Sequence, residues 1–169
     1  SQLESGPLVA PDSPTQIIAV ASGKGGVGKS TITANLAVTL ARLGYEVGLL
    51  DADIYGFSIS RMFGLSGRQP TVVDGKIIPM VAHDVKVISM GNFVDEGTPI
   101  IWRGPMLGKV LNQFVADVLW GEPHYLLVDL PPGTGDMALD VARLMPKAGL
   151  VIVTTPQTVA SGVASRAAH

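Results

Sequence analysis

The sequence predicts an α/β fold, a doubly wound, mostly parallel sheet flanked by helices on both faces. Three observations carry this expectation. Apolar runs at 17–21, 47–50, 125–130 and 150–155, with a weaker one at 85–90, are continuous rather than alternating, as strands covered on both faces require. Segments with helical spacing separate them, which is how parallel strands are joined. Polar clusters at 22–31, 51–53, 129–136 and 156–157 follow the runs at one end only. In open sheets of this kind ligands bind beyond the carboxyl ends of the strands, so four clusters at one edge predict one site.

Taken in order, residues 1–15 carry Pro7, Pro11 and Pro14 and read as a flexible N-terminal segment. The first strand leads into a helix whose face is Ile32, Leu36, Leu40 and Leu43, ending at Gly44. After the second strand, 64–84 is rich in turn residues and predicts a hairpin-like excursion (71–73 with 76–79) outside the core. Between Gly104 and Gly121, Leu107, Val110, Leu111, Phe114, Val115 and Val118 fall at helical spacing. Pro105 suits that helix's first turn and Gly121 its stop. Further helices are expected at 134–147 and 158–168. Residues 16–169 form one domain on this reading, without repeats or an internal linker.

Composition limits the function. The chain has 169 residues, 47% hydrophobic and 15% charged, enough to bury a core without staples. It contains no cysteine, which excludes a disulfide scaffold, a thiolate zinc site, a catalytic cysteine and a cysteine-held iron–sulfur cluster on these residues. Twelve basic and fourteen acidic residues leave a net charge of −2, so no global field favours nucleic acid or an anionic membrane, and neither is an expected partner. The longest uncharged stretch, 148–165, holds Pro156, Gln157, three Thr, two Ser and two Gly, too polar to span a bilayer. It reads instead as a buried strand leaving the sheet into a loop and helix. No Lys or Arg precedes Lys24, so no targeting segment is legible and a cytoplasmic location is expected.

The strongest motif is Gly23-Lys24-Gly25-Gly26-Val27-Gly28-Lys29-Ser30, which satisfies G-x-x-x-x-G-K-[ST] between an apolar strand and an amphipathic helix. Glycines let successive backbone N–H groups turn inward around a phosphate, and the helix N-terminus adds its dipole. Lys29 would reach the β- and γ-phosphates of ATP, Ser30 would ligate Mg²⁺, and Thr31 could touch the α-phosphate. Lys24 is either a solvated surface charge or a second ammonium for a bound triphosphate, its own or that of a facing subunit.

Asp51 closes one strand, where a carboxylate can hold Mg²⁺ through its water shell; Asp53, two residues on, could orient the attacking water. Asp129 closes the run Tyr125-Leu126-Leu127-Val128 and could likewise carry Mg²⁺ through water. Gly133, after Pro131-Pro132, could bring its N–H to the γ-phosphate and sense hydrolysis. Asp136 reads as the N-cap of the next helix. Pro156 and Gln157 either line the base side or form a plain strand-to-helix turn. Arg103 either serves an interface or a partner, or simply starts a helix. His83, His124 and His169 lack ligand spacing.

Gly23-Lys24-Gly25-Gly26-Val27-Gly28-Lys29-Ser30-Thr31 resembles the deviant Walker A signature of the MinD-like P-loop ATPases. Asp51-Ala52-Asp53-Ile54-Tyr55-Gly56, Trp102-Arg103-Gly104-Pro105-Met106 and Asp129-Leu130-Pro131-Pro132-Gly133-Thr134-Gly135-Asp136 narrow the resemblance to the Mrp/ApbC-type iron–sulfur carrier ATPases. It covers about residues 16–168. It implies a P-loop NTPase fold, slow Mg-dependent ATP hydrolysis and a homodimer across two nucleotides, with Lys24 on the partner's ATP. It implies Asp53 as the hydrolytic residue, iron–sulfur client apoproteins as partners and a [4Fe–4S] cluster held by C-x-x-C pairs, for which this chain has no cysteine. The family usually has Pro where Phe57 stands, and continues past the point matching His169, so a domain truncated at its C-terminal end is expected. Two other functions fit less of the sequence: a partitioning or positioning ATPase acting through ATP-dependent dimerisation, and a nucleotide-binding module without turnover.

Overall fold

All five apolar runs are strands, and they lie in one sheet. The computed structural model describes residues 8, 10, 12–53, 56, 58–93, 104–133 and 135–155. The elements are β1 (Gln16–Ser22), α1 (Lys29–Arg42), β2 (Val47–Asp51), α2 (Ser58–Met62), β3 (Thr71–Val73), β4 (Lys76–Ile78), β5 (Met80–Ala82), β6 (Val85–Ser89), α3 (Gly104–Asp117), β7 (Tyr125–Asp129), α4 (Gly135–Leu144) and β8 (Gly149–Val153). The six-stranded sheet runs β5-β6-β2-β7-β1-β8, parallel except for β5, which pairs antiparallel with β6.

Helices cover both faces, as expected. One core layer joins α1 and α2 to the sheet through Ala34, Ala37, Leu49, Ile59, Val87 and Leu127. The other packs Leu50, Ile88, Leu111, Val115, Val128 and Val141 between the sheet and α3 and α4. Successive strand residues point to opposite faces, so both neighbours of a pair such as Leu49–Leu50 are buried and the apolar runs are unbroken. Gly48 in β2 is required by close approach: a Cβ there would stand 2.8 Å from Trp120 Cε3 and 3.1 Å from Leu126 Cδ1. Trp120 is thereby closed against the strand, and its indole N–H donates to Phe114 O at 3.2 Å.

Several expectations are corrected. The buried face of α1 is Lys29, Thr33, Ala34 and Ala37, while Ile32 is 45% exposed and Leu43 68%. Small residues let the helix sit close to the sheet, and Leu36 and Leu40 pack only at the margin of that contact. Among the described residues β8 stands at the end of the strand order, with Leu150, Val151 and Ile152 exposed there and Val153 buried. The 71–73/76–78 hairpin exists, yet the last part of the excursion, β5, belongs to the central sheet. The five-residue α2 was not expected at all. α3 ends at Asp117, before Gly121, because Leu119 N–H donates to Ile77 O of β4 at 2.8 Å. Asp136 lies inside α4, one residue past its start at Gly135, so it is not the N-cap.

Within the N-terminal segment, Leu8 is buried in the core and the Thr15 hydroxyl donates to Pro123 O at 2.7 Å. Pro156, Gln157, Trp102, Arg103, Ile54, Tyr55, Phe57, Thr134, His169 and the helix expected at 158–168 lie outside the described residues.

Candidate functional site

The parallel register brings the polar strand ends level. Asp51 of β2 pairs with Asp129 of β7 on one side and Ser89 of β6 on the other, while Val20 of β1 pairs with Asp129. Register partners share a face, so Asp51, Asp129 and, two residues beyond Val20, Ser22 all sit on the α1 side. The phosphate loop turns from β1 into α1 on that same side. Gly26 and Gly28 have φ of 74° and 88°, left-handed values that glycine adopts without strain, and Gly28 stands at the N-cap of α1.

Lys29 is the hub. It is buried, with its side chain 5% exposed, and its Nζ donates to Asp129 Oδ1 at 2.6 Å. Its Nζ also lies 3.3 Å from Asp53 Oδ2 and 3.3 Å from Ser30 Oγ. Ser30 Oγ donates to the other carboxylate oxygen of Asp129 at 2.7 Å. Thr33 Oγ1, one turn after Lys29, contacts Asp129 Oδ1 at 3.0 Å and Lys29 O at 2.9 Å. Asp53 is tied to Asp51 through its own N–H, which donates to Asp51 Oδ1 at 3.1 Å. Ser89 Oγ donates to Asp51 Oδ2 at 3.1 Å and itself accepts the Gly91 N–H. Three expected carboxylates and two expected loop residues are therefore one hydrogen-bonded network.

A cavity of about 260 Å³ opens over this network, lined by Gly25, Gly28, Lys29, Ser30, Thr31 and Asp53 among others, with Pro132 across from the loop. Gly23, Lys24, Gly25 and Gly26 are exposed and Val27 is half-buried. Gly133 is beside the loop, but its N–H donates to Ser22 O at 3.0 Å, so in this conformation it is engaged with β1 rather than turned to the cavity. Thr33, Ser89 and Ser22 were not singled out from the sequence. Thr33 was legible as the residue one helical turn from Lys29. Ser89 and Ser22 were legible only as strand-final hydroxyls, a signal far weaker than an Asp.

Asp53 and Asp129 pair with Lys29, the buried cation among the described residues, and Asp51 joins them through the Asp53 N–H. Burial, and then the neighbouring Asp129 carboxylate, push the Asp51 carboxyl from its ordinary 3.8 up to about 8. Folding therefore takes up a proton at Asp51 between these two values, and its contribution to stability declines as pH rises through that window. Asp51→Asn is expected to be more stable than the unaltered chain near pH 8, with the gain shrinking toward pH 4. Thermal unfolding of both proteins across that range, without nucleotide, checks this.

The oxygen donors of Ser30, Asp51 and Asp129 fit a hard cation such as Mg²⁺. No group of three or more His, Cys, Asp or Glu able to hold a metal occurs among the described residues. No residue fits an iron–sulfur cluster, since the sequence has no cysteine and the described residues offer no alternative set. Among the described residues no helix is long and apolar enough to cross a membrane.

Comparison with known proteins gives the family and the fold. A family model described as NUBPL iron-transfer P-loop NTPase matches residues 13–169. An iron–sulfur cluster carrier protein of Mycobacterium bovis is 58% identical over 161 residues, which span 95% of this chain and 42% of that protein. The chain thus spans less than half the length of this relative. A nucleotide-binding protein of Archaeoglobus fulgidus, solved in complex with ADP, is 41% identical with a TM-score of 0.70, covering 90% of this chain and 60% of that one. The septum site-determining protein MinD of Pyrococcus horikoshii, complexed with Mg-ADP, shares the fold: its TM-score is 0.57 at 23% identity, covering 91% of this chain and 66% of that one.

Proposed function

This chain belongs to the NUBPL iron-transfer P-loop NTPase family, and from that premise we propose that it is the ATP-driven switch of an iron–sulfur cluster carrier. The observation that carries the reading is the position of Lys29, held between Asp129 and Asp53 at the floor of a cavity rimmed by the phosphate loop. The loop's N–H groups and the α1 N-terminus bind the phosphates of ATP, with Lys29 on the β- and γ-phosphates and Thr31 near the α-phosphate. Ser30, Asp51 and Asp129 would hold Mg²⁺, which would supply neutralisation of the phosphate charge. Asp53 orients the attacking water, and Gly133 exchanges Ser22 O for the γ-phosphate, making the Pro131–Gly133 turn the reporter of hydrolysis.

Phosphate leaves Lys29 with a new partner, so nucleotide entry must loosen its pairing with Asp129 and Asp53. That exchange couples the loop to β2 and β7. In the proposed cycle, two copies of the chain meet across their nucleotides, and Lys24, exposed in the loop, reaches the triphosphate of the facing copy. Dimer assembly and release would then govern how the cluster, which is cargo, is passed to client apoproteins. The cluster's ligands are not on these residues, and no step is assigned to it.

Sedimentation with a non-hydrolysable ATP analogue and Mg²⁺ tests the switch. The unaltered 17.6 kDa chain should double in mass, and Lys24→Ala should bind the analogue but stay monomeric. Nucleotide-bound protein that remains monomeric would remove the dimeric cycle.

A further inference from the structure

Ser22 is the last residue of β1 and is 3% exposed, yet its hydroxyl has no hydrogen-bond partner. Among the described residues it is the buried side-chain polar group left in that condition. A buried hydroxyl without a partner destabilises the chain that carries it, so such a group calls for an explanation. Its position supplies one. Ser22 lines the same cavity as Lys29, Ser30 and Asp53, on the sheet face that carries Asp51 and Asp129. Its carbonyl holds the Gly133 N–H at 3.0 Å, which puts it at the Pro132–Gly133 end of the cavity. On the reading above, that end receives the terminal phosphate, and Thr31 marks the opposite one.

We infer that the Ser22 hydroxyl is a ligand for the terminal phosphate of a bound nucleoside triphosphate, and so helps the site tell ATP from ADP. The inference rests on the ATP reading of the loop and adds a residue to it. A serine hydroxyl can donate to a phosphate oxygen while rotating freely enough to follow it. The same residue's carbonyl is the acceptor that Gly133 must leave when it turns to the phosphate. One residue thus acts twice at this end: its carbonyl accepts the Gly133 N–H, and its side chain meets the phosphate to which that N–H turns.

Ser22→Ala, which removes only the hydroxyl, tests this by calorimetric titration with Mg-ADP and with a non-hydrolysable ATP analogue. The analogue should bind about tenfold more weakly than to the unaltered chain, the usual worth of a hydrogen bond to a charged group, while ADP affinity stays within about twofold. The thermal midpoint without nucleotide should be equal or higher, because an unsatisfied polar group has been removed. An unchanged ratio of analogue to ADP affinity, or an equal loss for both, would overturn the assignment while leaving the ATP site in place. If the unaltered chain bound neither nucleotide, the ATP reading itself would fall, and this assignment with it.

Discussion

Lys29→Ala is expected to abolish measurable Mg-ATP binding and phosphate release. The side chain is the one buried cation among Asp51, Asp53 and Asp129 in the described site, with Asp129 at 2.6 Å and Asp53 at 3.3 Å. Without it, an incoming triphosphate meets the Asp53 and Asp129 carboxylates and no buried ammonium. Loss of one preorganised donor to a transferring group commonly costs about 10²–10³ in rate, and here the lost donor also provides the ground-state attraction. The empty protein should suffer as well. Removing one partner of a buried pair costs about 3–5 kcal/mol, although Ser30 and Thr33 still donate to Asp129 and soften that loss. Circular dichroism therefore accompanies the assay, to show that the variant is folded at the assay temperature. Undiminished phosphate release from folded Lys29→Ala would remove the site assignment.

Asp53→Asn is expected to separate binding from turnover. The Asp53 carboxylate lies at the cavity wall beside Lys29, and its backbone N–H, which the substitution leaves intact, anchors it to Asp51. Asparagine keeps the size but cannot take a proton or orient water as a carboxylate does. General-base assistance is worth about 10²–10⁴, so turnover should fall by that order while affinity for Mg-ATP changes by less than about tenfold. Removing a negative charge near the phosphates could even tighten binding. Single-turnover phosphate release and equilibrium titration on the same preparation check both halves. Unaltered turnover would reassign the hydrolytic role.

The site was legible in the sequence wherever its residues are contiguous or chemically conspicuous. The phosphate loop is spelled out from Gly23 to Ser30, because its backbone conformation depends on glycines at set intervals. Asp51 and Asp129 stood out as acids ending apolar runs, and the parallel register does bring them level. What sequence alone could not show was the pairing. Lys29 with Asp129 spans 100 residues, and Ser89 with Asp51 spans 38; both depend on which strands are neighbours. Ser22 and Ser89 were hidden for a second reason, since a serine at a strand end is common and gains meaning only from its register partner.

In the fold, strand positions followed from continuous apolar runs, because burial on both faces leaves no alternation to misread. The helix face of α1 did not follow. Large side chains at Ile32, Leu36, Leu40 and Leu43 suggested a face, but Thr33, Ala34 and Ala37 form the contact, where close approach to the sheet excludes bulk. The apolar run at 150–155 located β8 but not its place in the strand order, which depends on which strands are neighbours.

The most direct measurement is phosphate release by the unaltered chain incubated with ATP, in magnesium and in excess EDTA. Slow release that depends on magnesium is predicted, since on the proposed reading Ser30, Asp51 and Asp129 would serve turnover by holding the metal. No release from a chain that demonstrably binds Mg-ATP, or release that EDTA leaves unchanged, would contradict it.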